Sequence, residues 1–371
     1  DYNIIKARSE QHNIKIILRV NYEFVRGCPY ACTFCDWSSG LHHKVNVRRG
    51  DWKKELKFLS NYNIDVCTTD ANFGMLKQDI EFIQFGLSLQ NDNSEYKFKV
   101  GNYNKLNKSR VFEMFEQQYH HGKRSFKISL QHLDEQILKN INRPEISWEE
   151  HKELLVDFKQ KHKDIQYRVE LINGLPGSSV DLHIKQCIEF STIPIGNITQ
   201  YNWELLPNSP AYNKSYQEKF NLKTFKLNTL TSQFINSNIE DLYHDISKDN
   251  MLSTLNTYQT EFIHDNSLSY LEHLQVVYIT MMYNLIFENG TKYDVTGLKF
   301  TEFIEYAMPN IQKISKLQGE FFEEKYNQYG FIIFGLPYGF EKEKTINFHG
   351  GAQLICKRLF KKQLIKAGMQ K

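Results

Sequence analysis

Three of the six cysteines in this 371-residue chain fall within eight positions, in the segment GCPYACTFCDW (27–37). Cys28, Cys32 and Cys35 have the spacing CxxxCxxC and follow the β-rich apolar run IKIILRVNYEF (14–24). Thiolates are soft ligands for transition metals and iron–sulfur clusters. A cubane cluster has about four irons, so three cysteines leave one iron open to a chelating substrate or cofactor. Four thiolates would close the site and leave it structural or electron-transferring. The competing chemistry is zinc, with His42 or His43 as fourth ligand. Zinc sites favour CxxC pairs separated by a longer gap, which is a different pattern.

The remaining cysteines, Cys67, Cys187 and Cys356, are scattered, unlike a secreted disulfide framework. A reducing cytoplasm is the expected setting. The N-terminal stretch DYNIIKARSEQHN has no apolar signal core, and no run approaches the roughly 20 apolar residues of a membrane span. Hydrophobic residues make up 41% and charged residues 24%, an ordinary globular balance that excludes wholesale disorder. The net charge of +3 is too small to argue for nucleic acid by itself. Aromatics reach 14%, so aromatic cores or pockets are expected.

The elements that must carry the cysteine loop alternate regularly. Strand patterns at 14–24, 63–70, 95–103, 125–131, 165–172 and 197–206 are separated by helical patterns at 51–63, 78–90, 108–121, 134–141, 147–162 and 180–190. Six βα units imply a parallel sheet with outer helices, because parallel neighbours need crossover connections. The count falls short of a closed eight-stranded barrel, so the expected α/β architecture is an open (β/α)6 partial TIM barrel. In such sheets ligands bind at the C-terminal strand ends, where the distinctive segments fall. After PNSPAYN (207–213) the rhythm changes, and 214–325 reads as mainly helical, with 267–290 the longest periodic segment. The expected division is 1–213 for the partial barrel and 214–371 for a mainly helical C-terminal substrate-binding or lid domain. YGFIIFGLPYGFEK (329–342) reads as a strand pair or a pocket lip.

The segments RGCPYACTFCDW, TTDANFG (68–74), KISLQ (127–131), INR (141–143), ELINGLPG (170–177) and ELLPNSPAY (204–212) occur in that order. With Phe34 just before the last cysteine, the series resembles the radical S-adenosylmethionine (SAM) superfamily. It is most similar to the branch that often carries an N-terminal cobalamin-binding domain, and the resemblance covers about residues 15–215. It implies a [4Fe–4S] cluster held by Cys28, Cys32 and Cys35, with SAM chelating the fourth iron. Reductive cleavage of SAM then gives a 5′-deoxyadenosyl radical that abstracts hydrogen from a substrate. An external electron donor of flavodoxin or ferredoxin type is implied as well.

Carried over residue by residue, the resemblance puts Phe34 on the adenine side. Asp70 and Asn72 offer oxygens where relatives use a Gly-Gly-Glu motif for the SAM ammonium, although a helix cap and turn would also explain them. Ser129 and Gln131 alternate with Ile128 and Leu130 and face the ribose or methionine part. Arg143 pairs with the SAM carboxylate, or lies on the surface. Glu170, Gly174 and Gly177 lie by the adenine, with Leu205, Leu206 and Pro207 beside the same ring. The cobalamin domain of that branch would precede residue 14, and DLHIKQ (181–186) lacks the glycine of an Asp-x-His-x-x-Gly signature. The expectation is therefore direct radical chemistry without cobalamin. The alternatives are a cobalamin-dependent radical SAM methyltransferase whose cobalamin domain is missing from the chain, and a zinc-stabilised nucleic-acid-binding protein. Tyr338 and Cys356 are candidate hydrogen donors, with a structural role the commoner fate of such residues. A small molecule, nucleotide, sugar or peptide would each suit an aromatic, mildly basic cavity as substrate.

Overall fold

The alternation of strands and helices read from the sequence recurs in the computed structural model, with a leading helix and further strands added. Helix α1 (Tyr2–His12) is followed by β1 (Leu18–Tyr22), β2 (Val25–Arg26), β3 (Asn46–Val47), α2 (Trp52–Leu59), β4 (Ile64–Thr68), α3 (Asp79–Asp92) and β5 (Lys97–Lys99). Then come α4 (Lys108–His120), β6 (Ser125–Gln131), α5 (Glu135–Asn140), α6 (Trp148–Lys161), β7 (Gln166–Asn173), α7 (Val180–Ser191) and β8 (Ile195–Asn202). The C-terminal part adds α8 (Lys214–Phe220), β9 (Lys223–Thr229), β10 (Gln259–His264), α9 (Tyr270–Phe287), α10 (Phe300–Tyr329), β11 (Ile332–Phe334), β12 (Pro337–Gly339) and β13 (Thr345–Asn347). The structure describes residues 2–13, 18–38, 44–48, 50–100, 108–143, 147–193, 195–229, 259–264, 267–287, 300–329, 332–334, 337–339 and 345–347. His42, His43 and Cys356 lie outside them, as does the side chain of Tyr338. Among the described residues no helix is long and apolar enough to cross a membrane.

Local chemistry starts the helices where the sequence signals it. Asp51 caps α2 by accepting from Lys54 N at 3.1 Å, and Asp134 caps α5 through Gln136 N at 2.8 Å and Ile137 N at 3.0 Å. Ser179 does the same for α7, taking Leu182 N at 3.2 Å. Each such cap satisfies a helix-terminal amide that has no partner within the helix.

Two compact units divide the chain. The first comprises residues 1–30, 37–129 and 149–165. In it β1, β4 and β5 form a parallel sheet in that order, with Leu18 opposite Ile64 and Asp65 opposite Lys97. Its core is aromatic. Phe24 stacks on Phe82 at 4.2 Å between ring centroids, and Trp52 stands edge-on to Phe82 at 4.7 Å. A second group joins Phe115, Phe126 and Phe158, with Phe115 and Phe126 4.4 Å apart. Gly86 of α3 sits against the Phe98 ring, where an added Cβ would come within 2.5 Å of Cδ2. Overpacking of that kind costs about 1–3 kcal/mol, more than the roughly 1 kcal/mol that alanine contributes over glycine in a helix. Gly86→Ala is therefore expected to lower the melting temperature in a thermal scan, and an unchanged or raised value would show that the ring gives way freely.

The second unit comprises 31–36, 130–148 and 166–371, so it joins residues on both sides of position 213. Here β7 and β8 pair in parallel, from Tyr167 opposite Ile195 to Asn173 opposite Asn202. Helix α9, the long periodic segment of the sequence, is bonded along β8. Tyr283 Oη donates to Ile195 O at 2.8 Å. Asn284 gives Nδ2 to Ile198 O and takes Ile198 N on Oδ1, both at 2.7 Å. That side-chain amide satisfies the backbone pair a further strand would have used, which protects an otherwise open sheet edge. Gln186 Nε2 donates to His183 Nδ1 at 2.7 Å, so Nε2 of His183 carries the hydrogen and donates to Thr280 Oγ1 at 2.8 Å, tying α7 to α9.

Strands interrupt the region read as helical from sequence. β9 pairs antiparallel with β10 and parallel with β11. The physical signal is the alternation of polar and apolar residue types in KTFKLNT (223–229), the period of a strand. The segment 329–342 does contain two strands, but β11 joins β9 while β12 pairs with β13.

Candidate functional site

In the first unit, Gly27 takes a φ of 97°, a left-handed conformation that turns the chain out of β2 and into Cys28. The segment before it is clamped by Asp70, two residues past the end of β4 and 5% exposed. Asp70 Oδ1 accepts from Val25 N at 2.6 Å and Oδ2 from Phe24 N at 3.3 Å. Burial pushes its pKa up from 3.8 to about 7, against the pull of those two amides, with the Asp79 carboxylate adding to the rise. Asp79 in turn accepts from Gly74 N and Leu76 N, both at 2.9 Å, and shapes the rest of TTDANFG. Asn72 is buried in that loop, and its carbonyl accepts from Met75 N at 3.4 Å. Ser129, also buried, lies near the end of β6.

Cys32 and Cys35 belong to the second unit, in one tight turn closed by Cys35 N donating to Cys32 O at 3.1 Å. Cys32 is buried, Cys28 and Cys35 are partly exposed, and all three are free thiols. The turn is strapped down by long-range bonds. Thr33 N donates to Ile141 O and Ala211 N to Thr33 O, each at 2.9 Å. Tyr216 Oη lies 3.0 Å from Thr33 Oγ1 and donates to Asn140 O at 2.9 Å. Asn142, at a left-handed φ of 49°, donates Nδ2 to Ala31 O at 2.9 Å. The INR segment thus holds the cysteine turn through its asparagine, a role the sequence reading missed when it singled out Arg143. Asparagine's tolerance of left-handed φ was the available signal. Arg143 itself is buried, and its amide closes α5 on Leu138 O at 2.9 Å.

A cavity of about 260 Å³ opens in the second unit, lined by Phe34, Gln131, Glu170, Ile172, Tyr201, Asn202, Trp203, Glu204 and Leu206. Four residues singled out from the sequence, at positions 34, 131, 170 and 206, therefore meet in one space. Gln131 ends β6 at a φ of 66°, unusual for a residue with a side chain, so the backbone bends just where the side chain reaches the cavity. Glu170 Oε1 accepts from Tyr201 Oη at 3.2 Å, and burial with this bond raises the tyrosine's pKa. Phe34 packs against a core cluster that includes Trp203, Leu205 and Ile137. Gly174 follows β7 at a φ of 89°, where a side chain would be strained, and it does not line the cavity. Tyr201, Asn202 and Trp203 were missed because they precede the quoted ELLPNSPAY segment, although they sit at a C-terminal strand end.

The donor set fits an adenosyl compound. Phe34, Ile172 and Leu206 provide apolar walls for a planar ring, while Glu170, Gln131 and Asn202 can bond its hydroxyl and nitrogen atoms. Among the described residues no three His, Cys, Asp or Glu side chains are gathered to hold a single metal ion.

No family model matches the chain. Over 210 residues it is 28% identical to the 2-(S-pantetheinyl)-carbapenam-3-carboxylate methyltransferase of Streptantibioticus cattleyicolor, covering 55% of this chain and 30% of that protein. It is 26% identical over the same length to the cobalamin-dependent radical SAM methyltransferase TokK of Streptomyces tokunonensis, with the same coverage. The aligned part is thus 30% of the length of these curated relatives. Among solved structures, the cobalamin-dependent SAM radical enzyme OxsB with aqua-cobalamin and SAM bound aligns with a TM-score of 0.47 at 12% identity, over 95% of this chain and 56% of that one. The radical SAM methyltransferase TsrM of Kitasatospora setae, with tryptophan and aza-SAM bound, aligns with a TM-score of 0.44 at 15% identity, over 56% and 41%.

Proposed function

We propose that this chain, whose curated relatives are methyltransferases, one of them a cobalamin-dependent radical SAM methyltransferase, is the radical SAM part of a cobalamin-dependent methyltransferase. Cys28, Cys32 and Cys35 would hold a [4Fe–4S] cluster, and the cavity of the second unit would take the adenosyl part of SAM. The observation that carries the SAM reading is the convergence of Phe34, Gln131, Glu170 and Leu206 on one cavity with Trp203. Its volume is below the roughly 300–1,000 Å³ of drug-sized pockets and suits a nucleoside. The methyl-transfer reading draws on the relatives, which favour it over the direct, cobalamin-free hydrogen abstraction expected from the sequence.

When bound, the cluster, SAM and cobalamin supply electron transfer, a 5′-deoxyadenosyl radical and methyl carriage. The chain's own residues hold and orient. The straps from Asn142, Tyr216 and Ile141 keep the Cys32–Cys35 turn in place, and Asp70 fixes the backbone that leads into Cys28. Phe34 and Leu206 exclude water from the ring, and Glu170 accepts from ligand hydroxyls while Tyr201 steadies it. Asn72 and Arg143 remain proposed contacts to the ammonium and carboxylate of SAM, Ser129 to its ribose or methionine part, and Gly174 to its adenine. The wider frame proposed is an open (β/α)6 partial barrel over 1–213, with 214–371 contributing the substrate side. An external flavodoxin- or ferredoxin-type donor and a cytoplasmic setting complete it.

The test is anaerobic incubation of the reconstituted full-length protein with SAM and reductant, with and without added cobalamin. S-adenosylhomocysteine formed only with cobalamin, beside 5′-deoxyadenosine, is the expected result. 5′-Deoxyadenosine alone would overturn methyl transfer in favour of direct hydrogen abstraction, and the absence of both products would overturn the radical SAM reading.

A further inference from the structure

We infer that His273 is a positioning residue for the cavity: it holds the Asn202 side chain in the one orientation that offers amide N–H donors to a bound adenosyl group. The inference rests on the reading of that cavity given above. His273 stands in the first turn of α9 and is fully buried. Its Nε2 lies 3.0 Å from Asn202 Oδ1. A carboxamide oxygen has no hydrogen to give, so Nε2 carries the proton and donates. The same residue's carbonyl accepts from Asn173 Nδ2 at 3.2 Å. Asn173 and Asn202 are register partners at the last positions of β7 and β8, and Asn173 O takes Trp203 N at 2.9 Å. One helical residue therefore ties together two strand ends and the backbone that enters the cavity wall.

The consequence is chemical as well as mechanical. Asn202 lines the cavity. With Oδ1 engaged by His273, Nδ2 is left with two hydrogens to donate, and no described residue takes them. An unanchored asparagine can exchange its oxygen and nitrogen by a half-turn. Here that turn would set Nδ2 against the His273 N–H, donor against donor, and could bond only if the ring proton moved to Nδ1. With its proton on Nε2, His273 selects the donor face of Asn202. Glu170, which accepts from Tyr201, also lines the cavity and brings acceptor oxygens to it. A lining with both donors and acceptors suits a nucleoside, which carries ring nitrogens and ribose oxygens as acceptors and hydroxyls and an amino group as donors.

The experiment measures the affinity of the anaerobically reconstituted full-length protein for SAM and for S-adenosylhomocysteine by titration calorimetry, with folding followed by circular dichroism. His273→Leu is expected to weaken both by about tenfold, the worth of one well-made hydrogen bond. His273→Gln, whose amide N–H can reach the same oxygen, should restore affinity to near that of the unaltered protein. Asn202→Asp keeps the acceptor for His273 but removes the N–H donors, and it too should bind about tenfold more weakly. If His273→Leu fails to fold, the comparison of His273→Ala with His273→Gln decides. Unaltered affinity in the folded variants, or a glutamine that rescues nothing, overturns the role of His273 and leaves the cavity assignment standing. Failure of the unaltered protein to bind either compound overturns both.

Discussion

Cys32→Ala is expected to reduce the iron content after anaerobic reconstitution from about four per chain to essentially none, and SAM cleavage with it. Two thiolates cannot retain a cubane that relies on three, because each missing ligand exposes another iron to exchange and oxidation. The substitution is also mild for the polypeptide. Cys32 is buried, but the turn around it is held by Thr33 N to Ile141 O, Ala211 N to Thr33 O and Asn142 to Ala31 O, none of which uses the sulfur. The far-ultraviolet dichroism should therefore match that of the unaltered protein, which separates loss of the ligand from loss of the fold. Retention of both iron and SAM cleavage in the variant would falsify the assignment of the thiolates.

Asp70→Ala should be the most damaging single change to the first unit outside its aromatic core. The carboxylate is the partner of two backbone amides, Phe24 N and Val25 N, and alanine leaves both without it. Each orphaned buried donor costs about 1–3 kcal/mol, so a loss of roughly 2–6 kcal/mol is expected in urea or thermal unfolding. The segment released leads through Gly27 to Cys28, so reconstituted iron should fall as well, though less completely than in Cys32→Ala. The pH dependence has a definite sign. Burial raises the Asp70 pKa from 3.8 to about 7, so between those values the folded chain keeps a proton that the unfolded chain has released. The contribution of this group to stability therefore falls as pH rises from about 4 to about 7, then levels off. Asp70→Asn does not titrate. Its deficit relative to the unaltered protein should be largest near pH 4 and shrink towards pH 7, and a deficit that grows with pH would contradict the assigned burial.

Local signals explain which parts of the fold were readable. Asp51, Asp134 and Ser179 mark helix starts through bonds within three residues of themselves, and strand alternation is equally local. The helix at 2–12 escaped because it buries none of its residues and so shows no apolar face to detect. The strands at 223–229 and 259–264 were absorbed into a region read as helical. Pairing between segments separated by some thirty residues leaves only a weak mark on either of them.

For the site, residue types, their order along the chain and the family resemblance singled out Cys28, Cys32, Cys35 and Phe34 as a candidate ligand loop, together with Gln131, Glu170 and Leu206, which meet Phe34 at one cavity. That much depends on intrinsic chemistry: thiols bind soft metals, and parallel strands present ligands at their C-terminal ends. Tertiary structure alone decided the rest. It turned both Asp70 oxygens onto the backbone of residues 24 and 25, gave the strapping of the cysteine turn to Asn142, and laid α9 along β8 so that His273 reaches Asn202. The physical reason is common to all three. A hydrogen bond belongs to a pair, and when its partners are dozens of residues apart, neither one's neighbours along the chain reveal the other.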